Sequence, residues 1–207
     1  MPHVALLGDS IFDNGAYTDG EPDVAACLRP LLPEGWRVSL LAVDGTSTAD
    51  FAPQLAEVPG DATHLVVSLG GNDGLRSLGL LFAPAASTAE ALALFAEPLA
   101  AFEEAYRTQI ARVLALGREA LVCTVYDTDP ETPWEVSPRP LLALWNDVIL
   151  RTAFSRGLPV IDLRPICTEP ADYEAWIEPS GQGGRKIATA VARALRAEGR
   201  RSAVFAG

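Results

Sequence analysis

The chain has 207 residues, a formal net charge of −11 at pH 7 and a pI of about 4.6. Its composition, 49% hydrophobic and 21% charged, is typical of a globular protein, and the length suits a single domain over residues 1–207. Because so negative a chain repels phosphate groups, nucleic acid and anionic membrane surfaces are excluded as expected partners.

The predicted elements alternate between strands and helices. In chain order, the predicted strands are 4–7, 36–43, 63–69, 119–126 and 158–163. The predicted helices are 22–32, a short one ending at about 56, 87–116 with a kink at Pro98, 141–156 and 183–198. This alternation predicts a parallel sheet with right-handed crossovers and helices on both faces.

Cysteine spacing and hydropathy bear on disulfide bonds, membrane spans and cellular location. Cys27, Cys123 and Cys167 are odd in number and lack CxxC spacing, which indicates free thiols rather than disulfides or a zinc site. The most apolar long stretch, 75–102, is interrupted by prolines and glutamates, so no membrane span is expected. The first strand begins almost at Met1 and leaves no room for a signal peptide, which favours the cytoplasm.

Three of the predicted strands end in loops of glycine and small polar residues, at 8–14, 44–48 and 70–74. Ligands of open α/β sheets bind beyond the carboxyl ends of the strands, so Ser10 is a candidate nucleophile. In the alternative interpretation, Asp9 and Ser10 only turn the chain and cap the next helix.

The order of these blocks resembles a known family. Gly8-Asp9-Ser10-Ile11 after the first strand, Gly45 after the second, Gly71-Asn72-Asp73 after the third and a polar loop before the last helix resemble the SGNH hydrolases, or GDSL esterases and lipases. The resemblance covers essentially the whole chain. It implies a three-layer α/β/α sandwich around a five-stranded parallel sheet with the flavodoxin-like order 2-1-3-4-5.

The resemblance also implies roles for individual residues. Ser10 Oγ would be the nucleophile, and the backbone N–H groups of Ser10 and Gly45 would form an oxyanion hole with the side-chain amide of Asn72. Such donors suit acyl transfer, because negative charge develops on the carbonyl oxygen. In the alternative interpretation Gly45 is only a turn glycine and Asn72 only a helix cap.

The chain departs from the family in the block before the last helix. The family has Asp-x-x-His there, whereas this sequence has Ala175 and Glu178 at the corresponding positions. The two histidines, His3 and His64, begin predicted strands and so lie at the opposite edge of the sheet. Either Glu178 is the general base, with a pKa raised by burial, or the fold has kept its pocket and lost its activity.

The sequence allows a different role for Glu178 and also allows other carboxylates to act on Ser10. Glu178 is alternatively a surface acid that pairs with Arg185 or Lys186. Asp13, Asp73 and Asp172 are further acids able to approach Ser10. Asp13 lies in the loop after the first strand, Asp73 in the loop after the third strand, and Asp172 in the loop before the last helix.

The sequence therefore predicts a serine hydrolase of small carboxylic esters with short to medium acyl chains, working without metal or cofactor. Asp9 and Asp73 are predicted to adjoin the substrate, and Leu81 and Phe82, in the apolar run 78–82, to line an acyl pocket unless that run is a helix without substrate contact. The proline-rich loop 127–140 either lines the groove or is a solvated connection.

The alternative function is that of a non-catalytic acyl- or carbohydrate-binding protein. A nucleotide- or flavin-binding protein is disfavoured, since neither GxGxxG nor a P-loop follows the first strand.

Overall fold

The computed structural model describes residues 1–133 and 137–197, which are organised around one five-stranded parallel sheet. Its strands are β1 (His3–Gly8), β2 (Arg37–Leu40), β3 (His64–Ser68), β4 (Glu119–Cys123) and β5 (Val160–Ile161). Their order is β2-β1-β3-β4-β5, and every neighbouring pair is parallel, as predicted.

Helices cover both faces of the sheet. The α-helices among the described residues are α1 (Val24–Leu28), α2 (Ala52–Ala56), α3 (Gly71–Arg76), α4 (Thr88–Ala93), α5 (Ala96–Ala115), α6 (Arg139–Ser155) and α7 (Gly181–Arg196). Successive side chains of a strand point to opposite faces. Val4 and Leu6 therefore pack in the core beneath α1 and α7, while Ala5 and Leu7 pack in the core beneath α5 and α6. The result is the predicted three-layer sandwich.

β4 and β5 are shorter than predicted, and beyond their ends side chains take over the hydrogen bonds. Beyond β4, the backbone N–H and C=O of Val125 bind the Asn146 side chain, each at 2.8 Å. Beyond β5, the Leu163 N–H donates to Thr124 Oγ1 at 2.9 Å. The chain is thus still held firmly where the regular ladder ends.

The segment predicted as one helix over 87–116 is two helices, α4 and α5, separated at Leu94 and Phe95. Pro98 is the third residue of α5 and so stands in its first turn rather than in the middle of a longer helix. A backbone N–H in the first turn of a helix has no intrahelical acceptor, so proline is tolerated there. The helix predicted over 22–32 is α1 followed by a 3₁₀ turn, Arg29–Leu31.

The segment before the last helix forms a two-stranded antiparallel hairpin of β6 (Tyr173–Glu174) and β7 (Glu178–Pro179), which was not predicted. At its tip, Ala175 and Trp176 have φ values of 47° and 65°. Residues other than glycine and asparagine rarely adopt this left-handed backbone conformation. The sequence therefore gives little sign of the turn.

Within residues 1–133 and 137–197, Cys27, Cys123 and Cys167 are free thiols, as predicted. No helix in the described part of the chain is sufficiently long and apolar to cross a membrane.

Candidate active site

The turn after β1 is held tightly from two sides. Gly8 has φ +127°, and a Cβ at this position would overlap with the carbonyl oxygen of Ser68 on β3. The side-chain amide of Gln54 in α2 donates to Gly8 O and accepts from Gly8 N, both at 2.8 Å. Ser10 follows two residues later and is only 8% exposed. The position of Ser10 is consequently fixed relative to β3.

Ser10 lines a cavity at the carboxyl ends of β1, β3 and β4. The space within and at the mouth of this cavity amounts to about 460 Å³, a volume that includes open solvent. Its polar lining consists of Asp9, Ser10, Asn72, Tyr126, Thr128 and Glu178. Its apolar lining includes Ile11, Leu75, Val125, Pro138, Leu142 and Ile177. The cavity thus combines a serine and two carboxyl groups with largely apolar walls.

The β6–β7 hairpin brings Glu178 to this cavity and is anchored by both neighbouring loops. Tyr126 Oη donates to the carbonyl of Ile177 at 2.6 Å, and the Asn14 side chain donates to the carbonyl of Pro179 at 3.0 Å. These bonds flank Glu178 on either side. Its carboxylate is therefore directed by backbone contacts rather than by an ion pair.

The environment of Glu178 favours its protonated form. Burial raises the pKa of the carboxyl group above 4.5, the nearby Ser10 hydroxyl opposes this rise, and the negative charge of Asp44 adds to it. The oxygen Glu178 Oε2 is buried without a hydrogen-bond partner among the described residues. A carboxylate in such surroundings is a stronger base than an exposed glutamate.

Glu178 is not the paired surface acid of the alternative interpretation. Arg185 instead forms an ion pair with Glu21 at 2.6 Å. Lys186 contacts Glu169 at 3.0 Å and Asp172 at 2.7 Å.

Asp9 lies beside Ser10 and is 1% exposed. Its Oδ1 accepts from the Ile11 N–H at 3.2 Å and from Ser68 Oγ at 3.4 Å, whereas Oδ2 has no partner among the described residues. Burial raises the pKa of Asp9 to about 7, and the Ile11 and Ser68 hydrogen bonds counteract only part of this effect. Asp9 is therefore a second carboxyl group in the cavity with a strongly raised pKa.

Asn72 lies in the first turn of α3 and lines the cavity. Its Nδ2 donates to the carbonyl of Thr46 at 3.0 Å and, since an amide nitrogen carries two hydrogens, one remains available. Thr46 follows Gly45, which has φ +79° in the exposed turn after β2. Gly45 is not itself among the lining residues. The Asn72 side chain thus connects α3 to the turn that contains Gly45.

Several predicted site residues lie elsewhere. Both carboxylate oxygens of Asp73 bind Thr48, through its backbone N–H at 3.0 Å and its hydroxyl at 2.6 Å, so Asp73 links α3 to the β2 loop. Leu81 and Phe82 belong to a 3₁₀ turn outside the cavity lining. Leu81 packs against the core, and Phe82 is 62% exposed. None of the three is placed to contact a ligand in this cavity.

The remaining acids also have structural partners. Asp13 Oδ2 accepts from the Asp44 N–H at 2.9 Å. Asp172 is fully buried and accepts hydrogen bonds from the backbone of Thr168 and Glu169 as well as from Lys186. Glu178 and Asp9 are consequently the acids that line the cavity with Ser10.

Both histidines of the chain lie at the amino ends of their strands, away from the cavity. His3 contacts Asp61 at 2.9 Å and Ser39 at 2.8 Å, and His64 contacts Glu119 at 3.3 Å. Neither ring is available to Ser10, so a Ser-His pair is excluded at this site.

Sequence reasoning missed Tyr126, Thr128 and Asn146 as contributors to the site. The first two follow a strand end, which was a usable signal, but the spacing of Asn146 from Val125 gives none. Loop 127–140 does line the cavity, through Thr128 and Pro138. Trp134, which belongs to the same loop, lies outside the described residues. In the part of the chain that the structure describes, no group of three or more His, Cys, Asp or Glu side chains is arranged to hold a metal ion.

Comparison with known proteins identifies a family to which this sequence is similar. Residues 6–198 match the family model of the GDSL-like lipases and acylhydrolases. A comparison with curated protein sequences finds no match.

Solved structures of similar fold are more distant in sequence. An acetylxylan esterase from Geobacillus stearothermophilus is 19% identical, with a TM-score of 0.69 and coverage of 98% of this chain and 97% of that one. An extracellular lipase from Streptomyces rimosus is 18% identical, with a TM-score of 0.66 and coverage of 94% and 98%. Since the family model spans nearly the whole chain, the chain belongs to the GDSL-like lipase/acylhydrolase family and is a carboxylic ester hydrolase.

Proposed function

We propose that the protein hydrolyses esters of short to medium acyl chains with Ser10 as nucleophile and Glu178 as general base. Ser10 Oγ attacks the ester carbonyl while Glu178 accepts the hydroxyl proton. The tetrahedral intermediate expels the alcohol, which takes that proton from Glu178. Water then attacks the acyl-enzyme, again with Glu178 accepting a proton, and Glu178 returns that proton to Ser10 Oγ as the bond to the acyl group breaks and the carboxylic acid leaves.

One observation carries the proposal: Ser10 and Glu178 line the same cavity, where Glu178 forms no ion pair with any described residue and burial raises its pKa. A carboxylate paired with Arg or Lys would be a weak base because the cation lowers its pKa. Burial against apolar walls has the opposite effect. The histidine that the family normally uses is thereby replaced by a carboxylate of increased basicity.

We further propose that the backbone N–H groups of Ser10 and Gly45 and the side chain of Asn72 stabilise the oxyanion. The second amide hydrogen of Asn72 supports this role, as does the hydrogen bond that ties Asn72 to the Gly45 turn. Removing one donor of this kind costs about 2.7–4 kcal/mol of transition-state stabilisation. The cytoplasmic location and the single domain over 1–207 stay predictions from the sequence.

The test is hydrolysis of 4-nitrophenyl acetate and butanoate between about pH 5 and 9, a range chosen to include a raised carboxylate pKa. Wild type is compared with Ser10→Ala, Glu178→Gln and Glu178→His. Glu174→Gln is the matched control, because Glu174 is the register partner of Glu178 in the hairpin but is exposed and outside the cavity.

We expect Ser10→Ala and Glu178→Gln to abolish turnover and Glu174→Gln to retain it. Equal activity in wild type and Ser10→Ala would contradict the proposal. If both were inert and Glu178→His gained activity, the cavity would be a hydrolase site without its base. The acyl- or carbohydrate-binding alternative would then be favoured, since the site lacks the histidine of its family.

A further inference from the structure

The cavity holds two buried polar atoms that the proposed mechanism does not use. Asn72 Nδ2 binds Thr46, and Tyr126 Oη binds Ile177. Glu178 Oε2 belongs to the proposed base. Thr128 Oγ1 and Asp9 Oδ2 are left, both buried and without a hydrogen-bond partner among the described residues.

The position of Thr128 is well determined by its neighbours. The Asn146 side chain binds both backbone groups of Val125. The Asp127 carbonyl accepts from Tyr173 Oη at 2.7 Å, and the Asp129 N–H donates to the Trp176 carbonyl at 3.0 Å. The residues around Thr128 are therefore fixed by hydrogen bonds, while Thr128 itself, 3% exposed, lines the cavity with a hydroxyl that has no hydrogen-bond partner among the described residues.

An unsatisfied hydroxyl is costly in such a place. Burying one without a partner destabilises the fold, and valine has nearly the same shape without that cost. A threonine hydroxyl donates one hydrogen bond and accepts others, so it suits a ligand hydroxyl. Asp9 Oδ2, which points towards Gly71 in the same cavity, offers a second partner for such a group.

We propose that Thr128 is a specificity-determining residue, which hydrogen-bonds a hydroxyl group carried by the substrate. The favoured substrate is accordingly a hydroxylated ester rather than a plain alkyl ester, its carbon chain contacting Leu75, Val125 and Leu142. This inference rests on the proposed function, because it takes the cavity beside Ser10 to be the substrate site.

Two matched pairs of esters test the inference and distinguish where the hydroxyl lies. 4-Nitrophenyl 3-hydroxybutanoate is compared with 4-nitrophenyl butanoate, which differ only in the acyl group. Hydroxyethyl butanoate is compared with ethyl butanoate, which differ only in the alcohol. Each ratio of kcat/KM is measured for wild type, Thr128→Val and Thr128→Ser. Valine removes the hydroxyl and serine keeps it.

We expect the ratio of hydroxylated to plain ester to fall about 10-fold in Thr128→Val for one of the pairs and to be largely kept in Thr128→Ser, as for the loss of one hydrogen bond in a buried site. The responding pair identifies the hydroxylated part of the substrate. Ratios that Thr128→Val leaves unchanged in both pairs overturn the inference. Folding is checked by thermal unfolding, where Thr128→Val should be at least as stable as wild type, because it removes an unsatisfied group.

A binding measurement keeps the inference separate from catalysis. The neutral amides 3-hydroxybutanamide and butanamide, together with free ethylene glycol and ethanol as alcohol parts, are titrated against Ser10→Ala with Thr128 intact or changed to Val. Preferential binding of a hydroxylated probe that depends on Thr128, without any ester hydrolysis by wild type, supports the hydroxyl site and refutes the proposed function. Hydrolysis that depends on Ser10, without any effect of Thr128 on the ratios, supports the proposed function and refutes the hydroxyl site.

Discussion

Asp9 should make the stability of the protein fall as the pH rises. Its pKa is 3.8 when exposed and about 7 in the fold, chiefly because the carboxyl group is buried. Since the folded-state pKa is the higher one, the contribution of Asp9 is fully present below about pH 4 and is lost as the pH rises through about 7. At about 1.4 kcal/mol per pKa unit, the total loss is roughly 4 kcal/mol. Of this, roughly 2–3 kcal/mol falls between about pH 5 and 8.

Replacing Asp9 with Asn removes this titration while nearly keeping the shape of the side chain. We expect the free energy of unfolding of Asp9→Asn, relative to wild type, to rise by roughly 2–3 kcal/mol between about pH 5 and 8. Urea unfolding at both pH values measures the difference, and subtracting wild type cancels the titrating groups that do not interact with Asp9.

Asp162→Asn is the matched control. The hydrogen bonds from Arg164 lower the pKa of Asp162, so it is ionised at both pH values and its substitution should have the same effect at each. An Asp9→Asn difference that is equally independent of pH would refute the assignment of a raised pKa to Asp9.

Three further predictions follow from the same geometry. Gly8→Ala should lose more than about 4 kcal/mol of unfolding free energy or fail to fold, because its Cβ would overlap with Ser68; a soluble variant with an unchanged melting temperature would contradict the close approach. Asn146→Ala should lose about 2–5 kcal/mol in urea unfolding, because both backbone groups of Val125 become unsatisfied, and a loss below about 1 kcal/mol would argue against these bonds. The kcat/KM for 4-nitrophenyl acetate should rise with pH to a plateau, with its inflection above 4.5, because Glu178 must be ionised to accept the proton; a flat profile would exclude Glu178 as the base.

The sheet was predictable from the sequence because its signals are local. Apolar runs that end in glycine mark β1 and β3, and the spacing of the GDS and GGND blocks indicates the family and hence the strand order. The ends of β4 and β5 were not predictable, since Asn146 and Thr124 replace strand partners through side-chain bonds.

The site was predictable only where the motifs reach it. Ser10, Asn72 and Glu178 were found from the blocks and do line the cavity. The acyl-pocket expectation for Leu81 and Phe82 relied on an apolar run next to a motif, whereas the cavity walls are assembled from residues far apart in the chain. Contacts of that kind depend on tertiary packing and leave no periodic pattern in the sequence.

The two sides of the site differ in how firmly the fold retains them. Ser10 follows a strand paired on both sides, whereas Glu178 belongs to a hairpin of two-residue strands attached mainly by side-chain and loop hydrogen bonds. Elements of this kind open locally at lower free energy than a central sheet. Amide hydrogens of the hairpin should therefore exchange with solvent well before those of β1. Mild denaturant should withdraw Glu178 from the serine while the sheet stays intact, so that inactivation precedes unfolding.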